Sequence, residues 1–170
     1  MPDSAGVVAE PAHPGRLLVA RLLPGSDVLE ALRAALAQHD LGSGCILTML
    51  GSLSQARFVI AVPDDSNKAG IRYGEPKVLE GPLEFLGGSG TIGVTEAGKR
   101  MVHLHVMLCD QLGKFHGGHL LEEGNIVLTT LDLVVQEFVD VHLVWQFDEQ
   151  TGFSLFKPQK RRASTKGAHR

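Results

Sequence analysis

Four of the eight histidines fall between Met101 and Gly124: His103, His105, His116 and His119. Imidazole nitrogen is a strong ligand for zinc and similar divalent metals. The chemical question is therefore whether the chain can bring these rings to one point. Val102, Leu104, Val106 and Leu108 alternate with His103, His105, Met107 and Cys109, the period of a strand with one face in a core. Residues two apart on a strand project from the same face, about 6.6 Å apart at ~3.3 Å rise per residue. His103 and His105 thus reach a common point while Leu104 turns inward. Asp110 to Gly118 reads as a turn-rich excursion that returns His116 or His119 to that face. Gly117 and Gly118 allow close backbone approach where side chains converge. Two imidazoles at i and i+2, plus a third from the returning segment, make a three-histidine site. Its fourth tetrahedral position is left for water or a small ligand. Zinc is the first choice, and nickel, iron and copper suit the same donors. A strand histidine taken alone more often hydrogen-bonds to backbone.

The elements that must position these residues follow from periodicity. Leu17 to Leu22 reads as a first strand, broken by Pro24-Gly25. Ser26 or Asp27 then caps a helix whose apolar face is Val28, Leu29, Leu32, Ala35 and Leu36, and Gly42 ends it. Cys45 to Leu50 and Ala56 to Val62 read as two strands, punctuated by Gly51-Ser52. Pro63 to Gly70 is a polar loop and Ile71 to Glu80 is extended. Leu83 to Thr95 is a strand with several glycines, and Glu96 to Lys99 turns into the histidine strand. Ile126 to Phe138, His142 to Phe147 and Phe153 to Phe156 complete the strands. One clear helix among many strands predicts an α+β fold, a mostly antiparallel β-sheet packed by few helices.

At 170 residues the chain is long enough for one domain with a real core. Residues 1–15 read as a disordered lead, 16–156 as the domain and 157–170 as a basic tail. No apolar run reaches the ~20 residues of a membrane span, and the N-terminus lacks a signal-peptide pattern. Cys45 and Cys109 are far apart and show no paired zinc spacing. A cytoplasmic protein without disulfides is expected. No phosphate-binding loop is found, and Gly87-Gly88-Ser89-Gly90 does not open a helix.

Net charge is −3, yet Lys157, Lys160, Arg161, Arg162, Lys166 and Arg170 carry +6 with no acidic neighbour, which leaves −9 on residues 1–156. An acidic body repels a phosphate backbone, so nonspecific nucleic-acid contact would fall to those six cations. If all six neutralised phosphates, log affinity would fall against log salt with a slope of about −5. Acid–base catalysis at a metal would need a nearby carboxylate. Glu84, Glu122, Glu123 and Asp132 are candidates by position, Asp110 reads as a turn former, and no catalytic residue is assigned.

Several ordered motifs carry a family resemblance. His103-Leu104-His105-Val106, Asp110, Gly113, Gly117-Gly118-His119-Leu120, Gly124 and Thr130-x-Asp132 resemble the PPC (plants and prokaryotes conserved) domain. So do Pro24-Gly25-Ser26-Asp27, Gly51-Ser52-Leu53-Ser54, Gly81-Pro82-Leu83-Glu84 and Phe147-Asp148-Glu149-x-Thr151-Gly152. The resemblance spans residues 16–156 and implies an α+β fold, a homotrimer and DNA binding. It also implies a metal on His103, His105 and His119, favouring His119 over His116. In plants such domains accompany AT-hooks, whose Arg-Gly-Arg-Pro core this chain lacks. The metal motif is also similar to that of acetolactate decarboxylases, where His-x-His and a later histidine hold zinc. That similarity implies an alternative function, a zinc-dependent lyase or hydrolase on a small carbonyl or ester.

Overall fold

A computed structural model describes residues 6–161 as one helix, α1, and ten strands, β1 to β10. The helix α1 (Val28–Gln38) forms where both of its signals predict it. Asp27 caps it, with Oδ1 accepting from Leu29 N at 3.1 Å and Glu30 N at 3.3 Å. Its other oxygen accepts from Gly124 N and Asn125 N at 2.9 and 3.0 Å, so one carboxylate ties the helix start to a distant loop. The helix stops at Gln38, short of Gly42, because Asp40 turns to a positive φ of 48° and Leu41 N donates back to Leu36 O. Val28, Leu29, Leu32 and Leu36 are buried.

The main sheet holds β1 (Pro14–Leu22), β2 (Gly44–Val59), β5 (Lys77–Thr95), β6 (Arg100–Asp110), β7 (Phe115–Leu120), β8 (Ile126–Phe138), β9 (Val141–Asp148) and β10 (Phe153–Lys160). They run in the order β1-β8-β2-β7-β6-β5-β9-β10, antiparallel except for β5 against β9. Because β2 also pairs β5, the strands β2, β5, β6 and β7 close a ring of pairings. β3 (Ala61–Pro63) and β4 (Ile71–Tyr73) form a separate two-stranded sheet. A mostly antiparallel α+β architecture is what the strand periods predicted.

Three strands differ most from their sequence reading: β10 runs on through Lys157–Lys160, residues read as the start of a basic tail, and β2 and β5 absorb turn signals. β2 runs unbroken through Gly51-Ser52, since the register against β8 shifts there and the strand bends at bulges without ending. β5 starts at Lys77 and continues through Gly81-Pro82, opposite a register shift in β2 between Leu53 and Gln55.

The core gathers the inward residues of β2, β5, β6 and β8 beneath α1, including Met49, Phe58, Phe85, Leu104, Leu108 and Leu131. Sequence reading missed Asn125, which is fully buried. Its amide donates to Leu121 O at 2.7 Å and accepts from Arg57 N at 2.8 Å, satisfying both ends. Among the described residues, no helix is long and apolar enough to cross a membrane.

Candidate metal centre

The histidines are placed by the β6–β7 hairpin. Asp110 turns it: its Oδ1 accepts from Leu112 N at 2.9 Å and Lys114 N at 3.0 Å, and Gly113 takes a φ of +75°. The segment read as a long excursion is therefore a tight turn, and His116 already lies on β7. The register pairs His105 with His119 and Leu108 with His116. Directly opposed residues share a face of the sheet. His119 thus joins His103 and His105, while His116 joins the leucine face. Gly118 makes the fit possible, because a Cβ there would lie 2.3 Å from Val59 O.

One ring nitrogen from each of His103, His105 and His119 lies within 4.8 Å of the other two. His103 Nε2 and His105 Nε2 are 3.1 Å apart. Tetrahedral zinc with Zn–N bonds of ~2.0–2.1 Å separates donor nitrogens by about 3.4 Å, so the cluster already has the scale of a coordination shell. His119 Nδ1 is buried and has no hydrogen-bond partner. Burial, then the neighbouring His103 and His105, pushes the His119 pKa down to about 4. Burial also lowers that of His103, with His105 adding to it. These two rings stay neutral at pH 7, the state in which imidazole donates a lone pair. Donor type, spacing and the orphaned nitrogen all fit a divalent ion.

Two cavities meet at the rings. A shallow groove of about 470 Å³ on one side is lined by Cys45, Ser89, Thr91, His103 and His105. On the other, a cavity of about 260 Å³ is walled by Tyr73, Trp145 and Phe153 and reaches His103 and His119. The Tyr73 ring sits 5.1 Å from His119 and the Trp145 ring 5.8 Å from His103. Sequence reading did not connect these aromatics with the site, since they come from β4, β9 and β10. The alternation of Trp145 in its strand was the only hint.

The other predicted residues lie elsewhere. None of Glu84, Glu122, Glu123 and Asp132 lines either cavity. Glu122 pairs with Arg33 of the helix, Asp132 accepts from Thr130 Oγ1 at 3.3 Å, and Glu84 lines a groove with Ser52 and Thr130. Asp110 receives His116 Nε2 at 2.8 Å. Of the basic residues, Lys157 and Lys160 belong to β10. Lys157 approaches Asp148 at 3.5 Å and Lys160 approaches Glu10 at 4.0 Å. Arg161 donates its backbone N–H to Asp140 O at 2.8 Å. Arg162, Lys166 and Arg170 lie outside the described residues.

Comparison with known proteins gives a consistent picture. Residues 9–139 match the Plants and Prokaryotes Conserved (PCC) domain. The chain is 33% identical over 138 residues to the bifunctional protein GlmU of Synechococcus sp. (strain JA-3-3Ab), covering 81% of this chain and 20% of that protein. It therefore spans about a fifth of that relative's length. A metal-containing protein from Archaeoglobus fulgidus superposes with a TM-score of 0.72 at 27% identity, over 88% of this chain and 97% of the other. A candidate DNA-binding protein from Ralstonia eutropha JMP134 superposes with a TM-score of 0.66 at 23% identity, over 81% and 88%.

Proposed function

The chain belongs to the Plants and Prokaryotes Conserved domain family, and we propose that it holds one divalent metal ion, zinc as first choice, on His103, His105 and His119. The observation that carries this reading is His119 Nδ1, a buried nitrogen without a partner beside two further imidazoles. A buried polar atom left unpaired is costly, and a divalent ion is a partner that the three clustered imidazoles could share. The 27% identical A. fulgidus protein, itself metal-containing, agrees with this reading. When bound, an ion in such a site supplies Lewis-acid character at one open coordination position. The test is metal content of untagged protein. About one ion per chain is expected, lost in the double variant His103→Ala/His105→Ala. A folded protein that takes up no metal would overturn the reading.

We also propose a homotrimer. Leu17, Val19, Leu50, Leu86 and Met107 point away from the core and are 49–76% exposed. A broad uncovered apolar face favours association. Met107 lies two residues beyond His105 on the same side, so the metal site adjoins that face. Light scattering should give three times the chain mass, and Val19→Asp with Leu50→Asp should give monomers.

Any DNA contact is proposed to be nonspecific and to run through the cations of residues 157–170. Lys157–Lys160 form half of β10, so the informative truncation removes residues 162–170 alone. Binding left undiminished by this truncation at equal salt would refute a contribution from Arg162, Lys166 and Arg170. Binding that also persists when Lys157, Lys160 and Arg161 are neutralised would refute the proposal. A zinc-dependent lyase or hydrolase is the second reading, favoured by the cavity that reaches His103 and His119. The missing carboxylate weighs against it. Turnover of a small carbonyl or ester, lost in His105→Ala while the trimer persists, would establish it. The protein is expected to work in the cytoplasm.

A further inference from the structure

The aromatic cavity carries an inference that rests on the metal reading above and goes beyond it. We propose that it binds a small anion bearing a planar apolar group, an arylcarboxylate by chemical class, with its ring among Tyr73, Trp145 and Phe153 and its carboxylate at the histidines.

Size is the first argument. At about 260 Å³, the cavity lies just below the usual range of small-molecule sites. Water occupies ~30 Å³ per molecule in the liquid, so the space admits a single ring with a short acid arm.

Shape is the second. Tyr73 and Phe153 meet edge-on with centroids 5.9 Å apart, and Trp145 meets Phe156 edge-on at 4.9 Å. Such walls favour another ring in an offset or edge-on pose. They lead directly to His119 and His103, which together with Arg72 and Ser154 are the polar groups an occupant could meet.

Charge is the third. Arg72 is the one ionised residue lining the cavity, and no carboxylate lines it. Arg72 Nη1 donates to Tyr73 O at 3.2 Å, which holds the guanidinium beside the wall, while its Nε approaches Asp64 Oδ2 at 3.7 Å and so shares part of its charge. With an ion on the histidines, the polar end is cationic although the body as a whole is acidic. The aromatic faces alone would also suit an ammonium group, but Arg72 and an ion on the histidines would repel it.

Access is the fourth. Ile71, Arg72 and Tyr73 belong to the separate β3–β4 sheet, and Tyr73 is 44% exposed. That wall is built from outside the main sheet, on the side open to solvent.

The test uses full-length protein whose metal content has been measured first. Trp145 is the only tryptophan, so its emission reports this cavity alone. Titration with phenylacetate is expected to give a saturable change, at least tenfold weaker with acetate or benzyl alcohol. Removing the metal, or replacing Tyr73→Ala, should each weaken phenylacetate at least tenfold. Ile71→Ala, a second exposed wall position, should weaken it about threefold. Unchanged circular dichroism and metal content show that the variants are folded. No saturable response in protein carrying one ion per chain overturns the pocket and leaves the metal reading standing. A response that Tyr73→Ala leaves unchanged places the ligand elsewhere and overturns it too. Failure to take up metal is seen before ligand is added; it defeats the metal reading, and the anchored pocket with it.

Discussion

His116 and His119 stand three residues apart on one short strand and face opposite sides of the sheet. On one side His116 bonds to Asp110 at 2.8 Å, a carboxylate that also shapes the hairpin turn. On the other side His119 is half-buried beside two more imidazoles, and its buried Nδ1 has no partner. The first arrangement is complete: donor and acceptor satisfy each other, and the pair braces a turn. The second is incomplete: His103 Nε2 and His105 Nε2 lie 3.1 Å apart, but His119 Nδ1 is left without a partner. The contrast shows that a histidine's role here is set by its face and its partner.

The largest effect should come from removing a ring on the incomplete side. His119→Ala is expected to abolish metal uptake and, with it, the stabilisation by added zinc. That stabilisation should reach about 2.7 kcal/mol when free zinc is 100 times its dissociation constant. His116→Ala should leave metal stoichiometry unchanged. Thermal melts with and without zinc check both, and equal behaviour of the two variants would erase the distinction.

Acid should separate the two sides by pH window. The pKa of His119 in the folded chain, about 4, lies below its ordinary 6.5, so the unfolded chain holds the proton more tightly. Metal-free protein should therefore keep its full stability above pH 6.5 and lose it as pH falls towards about 4. At ~1.4 kcal/mol per pKa unit, the loss is at most about 3 kcal/mol and is reduced by solvent screening of this half-buried ring. Asp110 is held below its ordinary 3.8, chiefly by the bond from His116. Its contribution is present above 3.8 and disappears only as pH drops through its lower folded value. Denaturant midpoints of chelated protein across pH 3 to 7 should show the histidine loss first. His119→Ala should shrink that first loss to the part that His103 and His142 contribute, and leave the more acidic one.

A smaller effect is expected from Asp110→Asn. It weakens the bond to His116 and the turn, lowering the melting temperature by a few degrees while zinc per chain stays the same. A change in zinc content would show that the two faces are coupled.

The smallest concerns the basic segment. Lys157 and Lys160 already approach Asp148 and Glu10, so Lys157→Gln with Lys160→Gln should change the salt slope of DNA binding by less than one. Truncating residues 162–170 should have the larger effect on that slope.

Much of this architecture could be read along the chain. The capped 3.6-residue period of α1 and the two-residue period of β6 are local properties, and both elements form there. The pairing of His103 with His105 on one face needed only the pleat of a strand. The ends of elements were less legible, since Gly51 and Gly81-Pro82 are turn signals that the long strands absorb as register shifts.

The sequence by itself determined that two histidines would share a face, that one helix would cover many strands, and that charge would segregate to the C-terminal residues. The family resemblance already favoured His119 over His116, but residue pattern alone left both open. Tertiary structure supplied the physical reason, because hairpin register depends on a turn and on two neighbouring strands. Tertiary structure alone decided the aromatic wall, drawn from β4, β9 and β10, and it brought Asp148 and Glu10 to the lysines of β10. A strand's period is fixed by its own backbone, whereas register and partners are fixed by contacts between segments far apart in the chain.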